Sequence, residues 1–406
     1  MLYNTAIFVY DLAVHIATIG NKKARKMIYG HWSVYSQLKK QIDPNAEYLW
    51  FHAASLGEFE QGRPLIEAIR QRHPQYKILL TFFSPSGYEV RKNYEGADIV
   101  CYMPFDLKRC AKRFVNLAKP KMAFFIKYEF WRNFINELNK RDIPVYSVSS
   151  IFRPDQIFFK WYGGNYRNVL NSFEHLFVQN ESSKKLLSEI GINNVEVVGD
   201  TRFDRVIQIR DAAKPVEVAE SFKNGKRVIV AGSTWDPDEE ILIDFVNSRT
   251  DVKLIIAPHV INEEHIQRII ARMKRPYVRY SQVNEHNIAG AAYLIIDNYG
   301  MLSSIYRYGE IAYIGGGFGV GIHNTLEAAV YGVPVIFGPN HKRFMEAVQL
   351  IEVNGAFTIS NAKELDSILE RLLSDDKLLR DSGYNAGHYV TGHAGATEKV
   401  LAYIGL

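Results

Sequence analysis

The fold class predicted for this chain is α/β: two successive doubly wound domains, each built on a parallel sheet. Three observations predict it. The 406 residues are too many for one ordinary hydrophobic core and enough for two. Short apolar runs alternate with amphipathic segments along most of the chain, the pattern of buried strands with helices on both faces. The pattern breaks once, near Asp211–Asn224, where large apolar residues thin out, charges gather and Pro215 stands. That stretch is the expected linker. Domain boundaries follow as 1–26, 27–210 and 211–406, with C-terminal helical residues free to return to the first domain.

In the first domain, strands are expected at Tyr48–Ala53, Lys77–Phe83, Ile99–Met103, Met122–Ile126, Val145–Ser149, Leu176–Gln179 and Val195–Val198. Helices are expected at Phe59–Arg72, Ser86–Tyr94, Leu107–Leu117, Phe130–Arg141, 158–172 and 182–190. The series restarts with strands Arg227–Ala231, Lys253–Ala257, Ala292–Ile296, Ile311–Ile314 and Val333–Phe337. Helices Asp238–Asn247, Glu263–Arg272 and Leu302–Tyr306 lie between them, and 344–353, 362–374 and 376–388 follow. Two such domains place a crevice at the carboxyl ends of both sheets.

Residues 1–20 are mostly apolar, and the basic cluster Lys22, Lys23, Arg25 and Lys26 follows them. Charge after the apolar segment is the wrong order for a signal peptide. Asn4, Asp11, His15, Thr18 and Lys22 recur at helical spacing as one polar stripe, which argues against a membrane span. An amphipathic helix in the membrane interface is expected, its basic flank meeting anionic headgroups. The competing reading is an N-terminal helix packed on the protein itself.

Apolar residues make up 47% of the chain and charged ones 23%, an ordinary globular balance. A net charge of +5 suits an anionic substrate or membrane surface and is too small to argue for nucleic acid. The two cysteines, Cys101 and Cys110, make neither a disulfide framework nor a metal cluster, and fit a reducing compartment. The histidines do not fall in ligand spacing, so neither a metal nor a cofactor is expected.

Candidate chemistry gathers at strand ends. In the first domain Phe51-His52-Ala53-Ala54-Ser55-Leu56-Gly57-Glu58 leaves a strand and opens a helix. Glu58, in the first turn, is placed to take a proton from a sugar hydroxyl, or merely to complement the helix dipole. Lys127 and Glu129 follow another strand. Arg202, before the linker, would stabilise negative charge on a departing phosphate, or simply pair with Asp200 or Asp204. In the second domain Ser233 and Thr234 would cap a helix and donate to a phosphate. Pro258-His259 and Asp297-Asn298-Tyr299-Gly300-Met301 end further strands. The stretch Ile314–Glu327 ends a strand in a burst of glycines and opens an expected helix, Thr325–Tyr331. Its free N–H groups suit an anion, and Glu327 suits a ribose diol. These loops, with Gly338-Pro339-Asn340, converge on one sheet edge and read as a nucleotide-sugar site.

With these residues in view, the chain resembles the Kdo (3-deoxy-D-manno-octulosonic acid) transferases. Phe51–Glu58 is similar to their His-Ala-x-Ser-x-Gly-Glu motif, Ala231–Thr234 to their Gly-Ser-Thr turn, and Gly321–Glu327 with Pro334–Pro339 to their Gly-x-His-Asn-x-x-Glu and Pro-Val-x-x-Gly-Pro segments. The resemblance implies a GT-B type fold, two Rossmann-like domains facing a central cleft, with an N-terminal membrane-associated helix. It implies an inverting, metal-independent transfer of Kdo from CMP-Kdo to a lipid A precursor in lipopolysaccharide synthesis. The place implied is the cytoplasmic face of the inner membrane. Glu58 would be the base, and Glu129 and Arg202 would stabilise the transition state. Pro258, His259, Tyr299, Gly300, Met301, Asn324, Thr325, Leu326 and Glu327 would bind CMP. The chain departs from the family at Lys127 (Glu in many members), Arg202 (Lys), Pro258-His259-Val260 (Pro-Arg-His) and Met301 (Glu). The alternatives are another GT-B enzyme, such as a UDP-sugar transferase or nucleotide-sugar 2-epimerase, and a non-catalytic sugar-nucleotide-binding protein.

Overall fold

The computed structural model describes residues 2–284 and 287–406, so the first residue of the expected N-terminal helix lies outside it. Two units emerge: Met1–Arg205 with Ala394–Leu406, and Val206–His393. Among the described residues each holds one parallel sheet of seven strands.

The first unit begins with α1 (Leu2–Ala17) and α2 (Lys22–Gln41). Then follow β1 (Glu47–Ala53), α3 (Leu56–Arg72), β2 (Tyr76–Phe82), α4 (Pro85–Arg91), β3 (Ile99–Tyr102), α5 (Lys108–Ala118), β4 (Met122–Ile126) and α6 (Arg132–Asn139). The unit continues with β5 (Val145–Ser150), α7 (Gly164–Leu170), β6 (His175–Val178), α8 (Glu181–Glu189) and β7 (Val195–Val197). Its strand order is β3-β2-β1-β4-β5-β6-β7. The order reverses between β1 and β4, and there the loops after two neighbouring strands diverge and leave a crevice. β1 shows why the sheet is buried on both faces. Tyr48 and Trp50 enter one core, and Leu49, Phe51 and Ala53 enter the other.

Helix α9 (Thr201–Ala212) contains the division between the units. The second unit continues with α10 (Glu217–Lys223), β8 (Arg227–Thr234), α11 (Asp236–Asn247), β9 (Val252–Pro258), α12 (Glu263–Arg272), β10 (Tyr277–Arg279), β11 (Tyr293–Ile295), α13 (Leu302–Ile305) and β12 (Ile311–Ile314). It ends with α14 (Leu326–Ala329), β13 (Val335–Phe337), α15 (Met345–Glu352), β14 (Ala356–Thr358), α16 (Ala362–Ser374) and α17 (Asp376–Gly392). The strand order is β10-β11-β9-β8-β12-β13-β14, reversing between β8 and β12. The expected linker comprises the end of α9, the irregular stretch 213–216 and α10, whose Ala219 and Phe222 are buried.

The last helix, α18 (Ala396–Ile404), lies on the first unit, where Ala396, Val400 and Leu401 join the core containing Phe59 and Ile66. Asp204 holds its start, accepting from the N–H groups of Gly395 and Thr397 and from the Thr397 hydroxyl.

Helix α1 is amphipathic in an inverted sense. Tyr3 donates to Asp106, Asn133 donates to Asn4 at 2.9 Å, and Asp11 pairs with His15 on the side facing the protein. Phe8, Val9, Leu12 and Ile16 are each more than half exposed, and Ile19 just beyond is 83% exposed. No helix among the described residues is long and apolar enough to cross a membrane.

Candidate active site

At the reversal point of the first sheet, α3 begins three residues earlier than expected, and Glu58 lies in its first turn. The Ser55 hydroxyl donates to the Glu58 carboxylate and fixes its direction. The loop after β4 carries Lys127, held at φ 67° with its carbonyl accepting from Ser150 Oγ at 2.7 Å. Glu129 in the same loop receives the indole N–H of Trp131. Behind it stands His52, fully buried on β1, with Nε2 3.3 Å from Glu129 Oε2 and Nδ1 2.9 Å from the Thr81 hydroxyl. Trp50 also donates to that hydroxyl, at 2.8 Å.

Arg202 is tied to Asp200, the pairing foreseen as one of its two readings. Its Nε lies 2.8 Å from Oδ2, and its own N–H donates to Oδ1. Gln61 also donates to Asp200, at 3.1 Å, and so connects α3 to the start of α9. Tyr128 lies between the groups. Burial pushes its hydroxyl up, Arg153 and Arg202 pull it back, and Asp200 and Glu58 push with burial. Glu58, Tyr128, Asp200 and Arg202 thus share one electrostatic neighbourhood, and the Arg153 guanidinium sits 6.0 Å over the Tyr128 ring.

At the reversal point of the second sheet, the glycine-rich turn after β12 meets the turn after β8. A side chain at Gly315 would strike the Ser233 backbone, so only glycine fits. Buried Asp238 pins the two turns together. It accepts from Gly316 N at 2.9 Å, Trp235 N at 3.0 Å and the Tyr313 hydroxyl at 2.7 Å. Burial raises its pKa, and these donors act against that rise.

Two expectations about capping are corrected here. Helix α11 is capped at Trp235 by Asp238, not by Ser233 or Thr234. Ser233 instead takes a left-handed φ of 54° as the last strand residues turn. Thr234 is fully buried and donates to Glu239 at 2.9 Å, so its side chain faces the α11 interior. The helix expected over Thr325–Tyr331 is one turn, Leu326–Ala329, and Asn324 Oδ1 already accepts from Leu326 N. Thr325 and Leu326 are fully buried, and the Thr325 hydroxyl has no hydrogen-bond partner among the described residues. Glu327 accepts from Ser303 at 2.8 Å and from Asn324 at 3.1 Å, which directs its carboxylate.

His259 follows β9 and stacks with two rings, Trp235 at 4.8 Å and His323 at 4.5 Å, in one cluster of three. Burial, then His259, lowers the pKa of His323, and Trp235 Nε1 donates to its Nε2 at 3.4 Å, a bond only the unprotonated nitrogen accepts. Together the three rings offer an aromatic surface of a kind that stacks on a base or sugar ring. Tyr299 stands largely exposed, its hydroxyl accepting from Ile261 N at 3.4 Å. Gly300 adopts a φ of 92°, and Met301 Sδ accepts from Asn298. Pro258 ends β9, and His259 N donates to Thr234 O.

Asp236, Glu239 and His265 converge closely enough to hold a cation, although the spacing 236, 239 and 265 suggests nothing in sequence. His265 Nδ1 lies 2.9 Å from the Val260 carbonyl, and Nε2 lies 2.9 Å from Glu239 and 3.1 Å from Asp236. These contacts join α11 to α12.

Residues 27–205 match the family model described as 3-deoxy-D-manno-octulosonic-acid transferase. A protein of Aquifex aeolicus named 3-deoxy-D-manno-octulosonic acid transferase is 28% identical over 341 residues, covering 82% of this chain and 88% of that one. The Haemophilus influenzae protein of the same name is 26% identical, covering 88% and 86%. The chain is a glycosyltransferase related to the Kdo transferases. It also matches a bifunctional glycosyltransferase/methyltransferase of Fusobacterium nucleatum at 27% identity, with 83% of this chain covered but only 54% of that longer protein. In fold it is similar to the UDP-GlcNAc 2-epimerase of Neisseria meningitidis, with a TM-score of 0.64, 14% identity, and 88% and 99% of the two chains covered. This is the fold class of two Rossmann-like domains expected from sequence.

For this glycosyltransferase the sequence marked Glu58, Glu129 and Arg202 but not the residues that aim them. His52 and Ser55 stood in a quoted motif without a role, and Asp200 appeared only as an alternative partner. Tyr128, Arg153 and Trp235 carried no signal beyond their residue type.

Proposed function

We propose that the protein transfers Kdo from CMP-Kdo to a lipid A precursor during lipopolysaccharide synthesis, with inversion and without a metal. The observation that carries this reading is the sequence likeness to proteins named Kdo transferases over more than four fifths of the chain. Glu58 and Glu129, at the two loops flanking the first sheet's reversal, support it.

Glu58 acts as general base on the acceptor hydroxyl, its carboxylate aimed by Ser55. Attack from the face opposite CMP inverts the anomeric centre. The sugar passes through an oxocarbenium-like state, which Glu129 stabilises by its negative charge. The phosphate of CMP becomes fully charged as the bond to the sugar breaks, and Arg202 answers that charge. On the donor side, Ser233 and Thr234, Pro258 and His259, Tyr299 to Met301, and Asn324 to Glu327 receive CMP. With the Thr234, Thr325 and Leu326 side chains buried, those three serve through their backbone, while Glu327 takes the ribose hydroxyls.

The protein works at the cytoplasmic face of the inner membrane. The outward apolar face of α1 and the neighbouring Lys22, Lys23 and Arg25 are the support for this: such a face is unfavourable in water and is stabilised at a lipid interface. The test is incubation of purified protein with CMP-Kdo and a lipid A precursor, followed by mass spectrometry. Addition of Kdo to the lipid is expected. Turnover with UDP-sugars in place of CMP-Kdo, or donor binding with no transfer, would overturn the reading.

A further inference from the structure

Beside the tip of the glycine-rich turn, at the carboxyl ends of β13 and β14, lies a cavity of about 690 Å³. Its polar wall is Asn340, His341, Lys342, Arg343, Thr358 and Ser360. It therefore offers two cations, an imidazole, an amide and two hydroxyls, and no carboxylate lines it. The size is that of a small-molecule site.

Most of this wall is already committed to structure. The backbones of Gly317 and Gly338 touch, and a Cβ on Gly317 would come within 2.6 Å of Gly338. Asn340 donates from its backbone to Gly317 O at 3.0 Å and from its side chain to Gly319 O at 2.7 Å. Arg343 donates to Val320 O, and His341 Nδ1 lies 3.2 Å from Thr358 Oγ1. These bonds clamp the loop after β13 onto the glycine-rich turn. Lys342 takes no part in the clamp. It is exposed, lines the cavity, and has neither an ion pair nor a hydrogen bond among the described residues.

We propose that this cavity seats the carboxylate-bearing sugar of the donor, and that Lys342 selects an acidic sugar over a neutral one. The inference rests on the proposed function, which supplies a nucleotide-linked sugar acid. The glycine-rich turn touches both regions. A side chain at Gly316 would meet His323 of the Trp235–His259–His323 cluster, and Gly319 and Val320 line this cavity. A sugar continuing past the turn from its phosphate enters a basic, hydroxyl-lined space. A carboxylate leaving water needs a paired cation, and a mobile ammonium supplies one without demanding a planar fork.

The test is calorimetric binding of CMP and of CMP-Kdo to the wild-type protein, Lys342→Gln and Lys342→Arg, with transfer to the lipid A precursor measured alongside. The expectation is equal CMP affinity in all three, CMP-Kdo binding weakened about tenfold or more in Lys342→Gln, and recovery in Lys342→Arg. Equal weakening of CMP, or no change for either ligand, would overturn the assignment. Binding of free Kdo by nuclear magnetic resonance separates the two readings. Lysine-dependent Kdo binding without lipid transfer sinks the proposed function and keeps the pocket. Transfer that is indifferent to Lys342 does the reverse.

Discussion

The imidazole Nε2 of His52 lies 3.3 Å from Oε2 of Glu129, inside a wall made by Phe125 and Trp131. His52 lies on β1 and Glu129 in the loop after the neighbouring strand β4, at the sheet's reversal. Their meeting gives Glu129 a fixed backstop that no solvent-exposed loop carboxylate would have.

In the proposed mechanism His52 positions Glu129, and its effect should appear in kcat. Replacing it by Gln should leave the donor KM within about twofold and lower kcat by about 10²-fold, the cost of a carboxylate displaced by about 1 Å. Steady-state kinetics with varied donor checks this. A rise in KM with kcat intact would place His52 in ground-state binding.

Glu58→Gln keeps the shape of the side chain and removes its basicity. Transfer should fall by about 10²–10⁴-fold, the usual contribution of a general base, with CMP-Kdo affinity preserved. Calorimetry and single-turnover assays on the same preparation separate the two quantities. Near-normal transfer would remove Glu58 from its role.

The outward face of α1 gives a prediction about partitioning. Phe8→Asp with Ile16→Asp leaves Asn4, Asp11 and His15 on the inner side untouched. Each exposed apolar side chain is worth about 1.5–3 kcal/mol when fully buried, so binding to anionic vesicles should fall at least about tenfold. Circular dichroism and melting temperature should stay near the wild type. Unchanged sedimentation with vesicles would assign the face to another partner.

His31 is buried among Phe83, Tyr102 and Phe105, and burial pushes its pKa down to about 4 from the ordinary 6.5, against the partial pull of the Phe83 carbonyl. The folded state thus holds the ring neutral where the unfolded chain would protonate it. Its stabilising contribution is complete above about pH 6.5, declines as pH falls toward about 4, and levels off below, with about 3 kcal/mol as the upper bound. Denaturant unfolding across that range should show the slope, and His31→Gln should flatten it.

Much of the scaffold was legible in the residues. Met122–Ile126, Glu263–Arg272, Ile311–Ile314 and Ala362–Ser374 are found where they were expected. The strands are continuous apolar runs, and the two helices carry clear apolar stripes behind the caps Asn262 and Asn361. The edge strands β10 and β14 were missed because they are three residues long and only partly buried. Helix α10 was read as linker because its charged residues outnumber the two apolar residues that dock it.

The site divided along similar lines. Glu58 and Glu129 could be marked as candidates because each follows a strand. Their support was not, because His52 reaches Glu129 only through the pairing of β1 with β4, and strand order is not written in local pattern. The caps misled for a physical reason. Ser and Thr are good caps, but the buried ladder continues through Thr234 and leaves the helix start to Trp235.

The attachment of α18 to Asp204 and α3 makes the first unit discontinuous. During synthesis, residues 206–393 leave the ribosome as one uninterrupted length and can fold as they emerge. The unit begun earlier is completed only once 394–406 has emerged as well. Its α3 surface stays uncovered through that interval, so a segment translated before 206–393 reaches its finished state after it.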